Sequence, residues 1–205
     1  MASHRGLYPG YDVLAHKHEW DANTRQIVEK RLGPFSYKLL SSWEQSMLKA
    51  VAGHLTYEDR PEVLAWVAAH FDQELGKAIG ESQRQPEVPP QKELVVAGLK
   101  ALEEWAKLQY QKGFLKLGVQ DQFQILRDLQ LGQLPMVGKW NETLQRALFK
   151  KLVSLAVEAY YSHPWVWSEI GYGGPAYPRG YVRIELGLAD PWEAQRGGSS
   201  IDAEL

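Results

Sequence analysis

The sequence predicts an all-α protein, and three observations carry that prediction. Apolar residues recur every three to four positions through most of the chain. No stretch sustains the period-two alternation of a half-buried strand. Gly33-Pro34, Gly132 and His163-Pro164 punctuate the periodic runs at places where helices stop. The expected architecture is one helical, bundle-like domain of about six helices. It covers residues 1–192, with an extended arm over 1–20 and an ordered Gly/Pro/aromatic loop over 160–181, and a disordered tail follows over 193–205.

Residues 1–20 hold Pro9-Gly10 and no helical period, hence the extended reading, with Tyr8, Tyr11, Val13 and Leu14 as anchors. Asp21 is a good N-cap for a helix over residues 22–32, which Gly33-Pro34 stops. Ser41 or Ser42 caps the next helix, which carries Trp43, Met47, Val51 and Leu55 at a spacing near four. Pro61 suits a first helical position. After it Leu64, Val67, Ala68, Phe71, Leu75, Ala78 and Ile79 fall on one stripe that Gly80 ends. The run ESQRQPEVPP is polar, with three prolines, and reads as an exposed loop.

A long helix is expected over residues 91–110, with Leu94, Gly98, Leu102, Trp105 and Ala106 inward. Phe114 and Leu117 read as a short turn. A helix over residues 119–131 is expected to bury Phe123, Leu126 and Leu129. The last, over residues 140–161, turns Leu144, Leu148, Leu152, Leu155 and Ala159 inward. His163-Pro164 ends it, because the residue before proline avoids the α region.

The totals narrow the function. A chain of 205 residues can bury one real core without needing two domains. Its net charge of −2 gives no reason to expect a nucleic acid or an anionic membrane surface as partner. The absence of cysteine removes disulfides, thiolate zinc sites, iron–sulfur clusters and cysteine catalysis. No apolar run approaches the roughly 20 residues of a membrane span. The N-terminus carries no signal-peptide core, so cytoplasmic residence is expected, with export on a partner's signal as the alternative.

Residues 160–181 read YYSHPWVWSEIGYGGPAYPRGY and combine seven aromatic rings with four glycines and three prolines. Rings supply burial energy at low rotamer cost, and glycine and proline set turns, so the segment is expected to be an ordered loop. Gly171-Tyr172-Gly173-Gly174-Pro175-Ala176 matches G-x-G-x-x-A but lacks the preceding strand and following helix of a dinucleotide site. His16-Lys17-His18-Glu19 is at most a fragment of a metal site, and His54 and His70 read as surface or core-edge residues. Glu158 and Glu169 could pair as acids, but the simpler reading has Glu158 bonding loop amides or pairing with Arg179 or Arg183. No nucleophile is positioned locally. No flavin, haem or stoichiometric metal is therefore expected on the chain itself.

By residue type the aromatic loop has three readings: a plug that closes the core, a sugar site with Arg179 as donor, or a protein docking surface. Trp165 is expected to be its buried ring, and Arg179 to lie at its outer edge.

The E-A-Y-Y-S-H-P run of residues 158–164, the W-x-E-I-G-Y of 167–172 and the G-G-P-A-Y-P-R-G-Y of 173–181 resemble the gluconate 2-dehydrogenase subunit 3 family. The opening Y-x-x-Y-D-V-L of residues 8–14 and the W-D-x-x-T-R of 20–25 resemble it too, while residues 32–155 add only a helical pattern. Many members carry a twin-arginine leader, which is not seen here. The resemblance implies a cofactor-free accessory subunit that helps fold, stabilise or export a larger partner. That partner would be an FAD-dependent sugar or polyol dehydrogenase of the glucose–methanol–choline oxidoreductase class. It shifts the loop's reading to docking, through Trp165, Trp167, Tyr172, Tyr177, Arg179 and Tyr181, with the N-terminal arm as a second surface. Direct membrane insertion is not expected, and self-association of the isolated chain is left open. The rival is a stand-alone helical protein, conceivably an enzyme, with a sugar-like ligand under the loop.

Overall fold

The computed structural model describes residues 7–77, 85–180 and 190–194. Among them lie seven α-helices, three short 3-10 helices and no strand, so the chain is all-α. The α-helices are α1 (Ala22–Glu29), α2 (Ser42–Thr56), α3 (Pro61–Leu75), α4 (Gln91–Tyr110), α5 (Val119–Leu131), α6 (Glu142–Tyr161) and α7 (Pro164–Ile170). The 3-10 helices are Val13–Glu19, Lys30–Leu32 and Phe114–Lys116. No described helix is long and apolar enough to cross a membrane. The chain forms two compact units, residues 35–160 and the two ends together, 1–34 with 161–205.

Local chemistry sets the helix ends. Asp21 Oδ1 accepts from the backbone N–H groups of Asn23 and Thr24, as its N-cap role requires. Ser41 and Glu44 form a reciprocal capping box at α2, since each side chain bonds the other's backbone N–H. Pro61 opens α3, and just before it Glu58 accepts from the N–H groups of Asp59 and Arg60. Helices α4 and α5 span the residues their periodicity predicts.

The unit of residues 35–160 is built around one apolar cluster. Met47, Val51, Phe71, Leu99, Leu102, Trp105, Leu148 and Leu152 are among its buried members. Trp66 Nε1 donates to the Ala159 carbonyl at 2.9 Å and Trp105 Nε1 to that of Pro135 at 2.8 Å, so both indoles are buried without an unpaired donor. Asp72 ties the approach to α2 onto α3. Its carboxylate accepts the backbone N–H groups of Lys38, Leu39 and Leu40 at 2.9, 2.9 and 2.8 Å.

Four expectations are corrected. The arm over residues 1–20 is not extended throughout, because Asp12 caps a 3-10 helix over Val13–Glu19 by accepting from Leu14 N–H. Helix α3 ends at Leu75 with Gly76 as its C-cap; Ala78, Ile79 and Gly80 lie outside the described residues. Phe123 is 42% exposed, and Ile125 takes the buried position beside Leu126 and Leu129. The aromatic segment is not a loop from its start, since residues 164–170 form α7. Pro164 ends one helix and, lacking an N–H that the first turn could not use anyway, begins the next. The tail over 195–205 lies outside the described residues.

Candidate functional site

The unit formed by the two chain ends gathers the aromatic segment onto the N-terminal arm. His163 caps α7, its Nδ1 accepting from Trp165 N–H at 3.2 Å. Ser168, one turn on, donates to the Pro164 carbonyl and accepts from Val13 N–H at 3.1 Å. That hydroxyl is a hydrogen-bonded link between α7 and the 3-10 helix of the arm. Around it Val13, Trp20, Val28 and Trp167 form a small buried cluster, with Tyr11 and Leu14 packed against it.

Trp167, not Trp165, is the ring that α7 buries. It is 5% exposed, its Nε1 donates to the Tyr161 carbonyl at 2.6 Å, and the Arg31 guanidinium lies 5.2 Å from its centroid. Trp165 is half-buried and stands edge-on to His163 at 5.3 Å. Tyr172 meets Trp167 edge-to-face at 5.3 Å and keeps 43% of its surface in solvent, and Tyr177 keeps 70%.

Two glycines let the backbone come close to the arm. Gly171 ends α7 at φ +74°, where an added Cβ would stand 2.4 Å from the Tyr8 ring. Gly174 has φ +80°, and its Cβ would meet Trp20 at 2.6 Å. Side chains at either place would be strained by conformation and by contact together.

Arg179 does not lie at an outer edge. Its side chain is 7% exposed, pairs with Glu19 at 3.1 Å, donates to the Gly173 carbonyl and covers the Trp192 ring at 4.8 Å. Glu19 also has the imidazoles of His16 and His18 nearby, at 3.8 and 3.9 Å. Tyr11 completes the clamp by donating its hydroxyl to the Trp192 carbonyl at 2.7 Å. Burial pushes that hydroxyl up to about 12, against the opposing pull of Arg179.

Arg179→Ala is therefore expected to lower the melting temperature, at a cost of about 1–3 kcal/mol from the charge-assisted bonds to Glu19 and the Gly173 carbonyl that it removes. A melt unchanged from wild type would show that the clamp adds nothing. Of the six residues proposed from sequence, Trp165, Tyr172 and Tyr177 present surface, while Trp167 is buried against Tyr172 and the Arg179 side chain is held by Glu19 and the Gly173 carbonyl. Tyr181 lies outside the described residues, as does Arg183. Ser168 and Trp192 were missed, and Glu19 was read only as part of a metal-site fragment rather than as the partner of Arg179.

Gly171, Tyr172, Gly173, Arg179, Trp192 and Glu193 line a cavity of about 310 Å³ in the same unit. The model of one family, gluconate 2-dehydrogenase subunit 3, matches residues 43–174. The match takes in α2 to α7 and stops at Gly174, so it rests on the helical middle as well as on the E-A-Y-Y-S-H-P and W-x-E-I-G-Y runs. No curated protein and no solved structure matches the chain.

Proposed function

This chain belongs to the gluconate 2-dehydrogenase subunit 3 family, and from that premise we propose that it is a non-catalytic accessory subunit of a flavoprotein sugar or polyol dehydrogenase. In this reading a larger FAD-dependent subunit of the glucose–methanol–choline class carries the chemistry. The present chain binds that subunit and stabilises it or helps it mature. One observation carries the docking role: Tyr172 and Tyr177 stand exposed on a segment in which Trp167 packs edge-to-face on the Tyr172 ring and Arg179 holds the Gly173 carbonyl. Rings held in place before binding lose little freedom on docking, and that is the property of interface anchors. Exposed Ile170 and Tyr161, in the same unit, add apolar surface.

Tyr177→Ala tests the surface without disturbing these contacts. Its melting temperature is expected to match wild type, because an exposed side chain contributes within about 0.5 kcal/mol. Titrated against the co-encoded flavoprotein, it is expected to lose about 2 kcal/mol of binding or more. Wild-type affinity in both Tyr177→Ala and Tyr172→Ala would remove this face from the interface.

The cavity of about 310 Å³ favours a second reading, in which a sugar-like ligand sits against Tyr172 and Trp192 with Arg179 as donor. Saturable sugar binding by the isolated chain, abolished in Arg179→Lys, would favour that reading over docking.

A further inference from the structure

Within the unit of residues 35–160, His70 and Glu74 lie four residues apart on α3, which puts both side chains on one helix face. Helix α6 brings Glu158 to the same place. His70 Nε2 lies 3.5 Å from Glu158 Oε1, and one ligating atom from each of the three residues falls within 4.8 Å of the others. The two helices are tied at this point by Trp66. Its Nε1 bonds the carbonyl of Ala159, the residue after Glu158, and its ring packs 5.8 Å from the His70 imidazole. His70 is buried, whereas Glu158 is 59% exposed, so the group opens to solvent on the Glu158 side.

We propose that His70, Glu74 and Glu158 bind a divalent first-row transition ion, with Zn²⁺ as the representative. One imidazole nitrogen and two carboxylate oxygens form a mixed donor set of the kind such ions take, and the two carboxylates balance the charge of the ion. Magnesium and calcium prefer oxygen alone and discriminate against the imidazole. With bonds of about 2.0–2.1 Å, a tetrahedral site places its donors about 3.3 Å apart. The His70–Glu158 separation of 3.5 Å is already near that edge. Glu74 closes the rest by side-chain rotation, and Lys77 donates to its Oε1 as an outer partner that orients the carboxylate. The remaining coordination positions fall to water on the open side.

This goes beyond the accessory-subunit reading and departs from the expectation that the chain binds no metal. Nothing local in the sequence brings Glu158 to His70.

The experiment uses the full chain, stripped with a chelator and dialysed against Zn²⁺ or Mg²⁺. About one Zn²⁺ per chain is expected, with a melting temperature that rises with Zn²⁺ concentration and no response to Mg²⁺. Glu74→Gln and Glu158→Gln remove a charge without changing shape. Each is expected to weaken Zn²⁺ binding about tenfold or more while melting like wild type in chelator. The absence of saturable uptake would overturn the proposal. So would uptake unchanged in both variants, which would assign the ion to other imidazoles such as His16 and His18 and leave His70–Glu158 as a direct side-chain contact.

Discussion

Trp167→Ala is expected to destabilise the protein by about 3–5 kcal/mol, the cost of emptying a buried indole site. The ring fills the cluster of Val13, Trp20 and Val28, so its removal opens a cavity that two stiff β-branched valines and a buried indole cannot readily close. The loss is more than apolar. The Tyr161 carbonyl gives up its indole donor, and the Arg31 guanidinium gives up the ring it covers. Tyr172 then stands without the edge-to-face partner that orients it, and that contact type contributes about 0.5–1.5 kcal/mol beyond burial. The variant is therefore expected to lose stability and, if the proposed docking role holds, affinity for the partner subunit. Trp165→Ala is the contrast: the half-buried ring has less to lose, and its variant should melt closer to wild type. Denaturant titration of the two variants checks the assignment. A larger loss in Trp165→Ala would mean that the wrong indole has been identified as the strut.

Asp72→Ala carries the second large effect, also about 3–5 kcal/mol, because three backbone donors lose a charged acceptor in a buried setting. Burial by itself would raise the Asp72 carboxyl, but the N–H groups of Lys38, Leu40 and Leu39 outweigh it and hold the group below its ordinary value. A folded-state value below the unfolded one means that the unfolded chain takes up the proton first. The stabilisation is thus present in full above the ordinary aspartate value of about 4 and is lost as pH falls below it. Asp72→Asn lacks this dependence. The stability gap between wild type and Asp72→Asn is expected to be wide at neutral pH and to narrow as pH drops from about 4 downward. A gap that stays constant over that range would mean that the charge on Asp72 is not what holds residues 38–40.

Much of the helical body was legible in the sequence. Leu94, Leu102, Trp105 and Ala106 announce α4 by their spacing, and Leu144, Leu148, Leu152 and Leu155 announce α6 in the same way; all are buried. The caps at Asp21 and Ser41 were legible because a cap is completed by residues two or three positions away. Helix α7 was not, because Pro164 and the glycines after Ile170 bound a helix of only seven residues, the proline included. Without that helix there was no basis for choosing between Trp165 and Trp167, which point in different directions on a helix but share a face on a strand.

What the sequence determined by itself, then, was the all-α class, most helix limits and the inward faces of the long helices. These follow from interactions within about four residues, and such spacing is written directly in the chain. What only the tertiary structure decided was which distant groups meet: Arg179 with Glu19, Tyr11 with Trp192, and Glu158 with His70. Arg179 and Glu19 are 160 positions apart. No periodicity encodes such a pairing, because it depends on where the whole chain folds back, and a buried charge is stabilised there only by the partner that packing delivers.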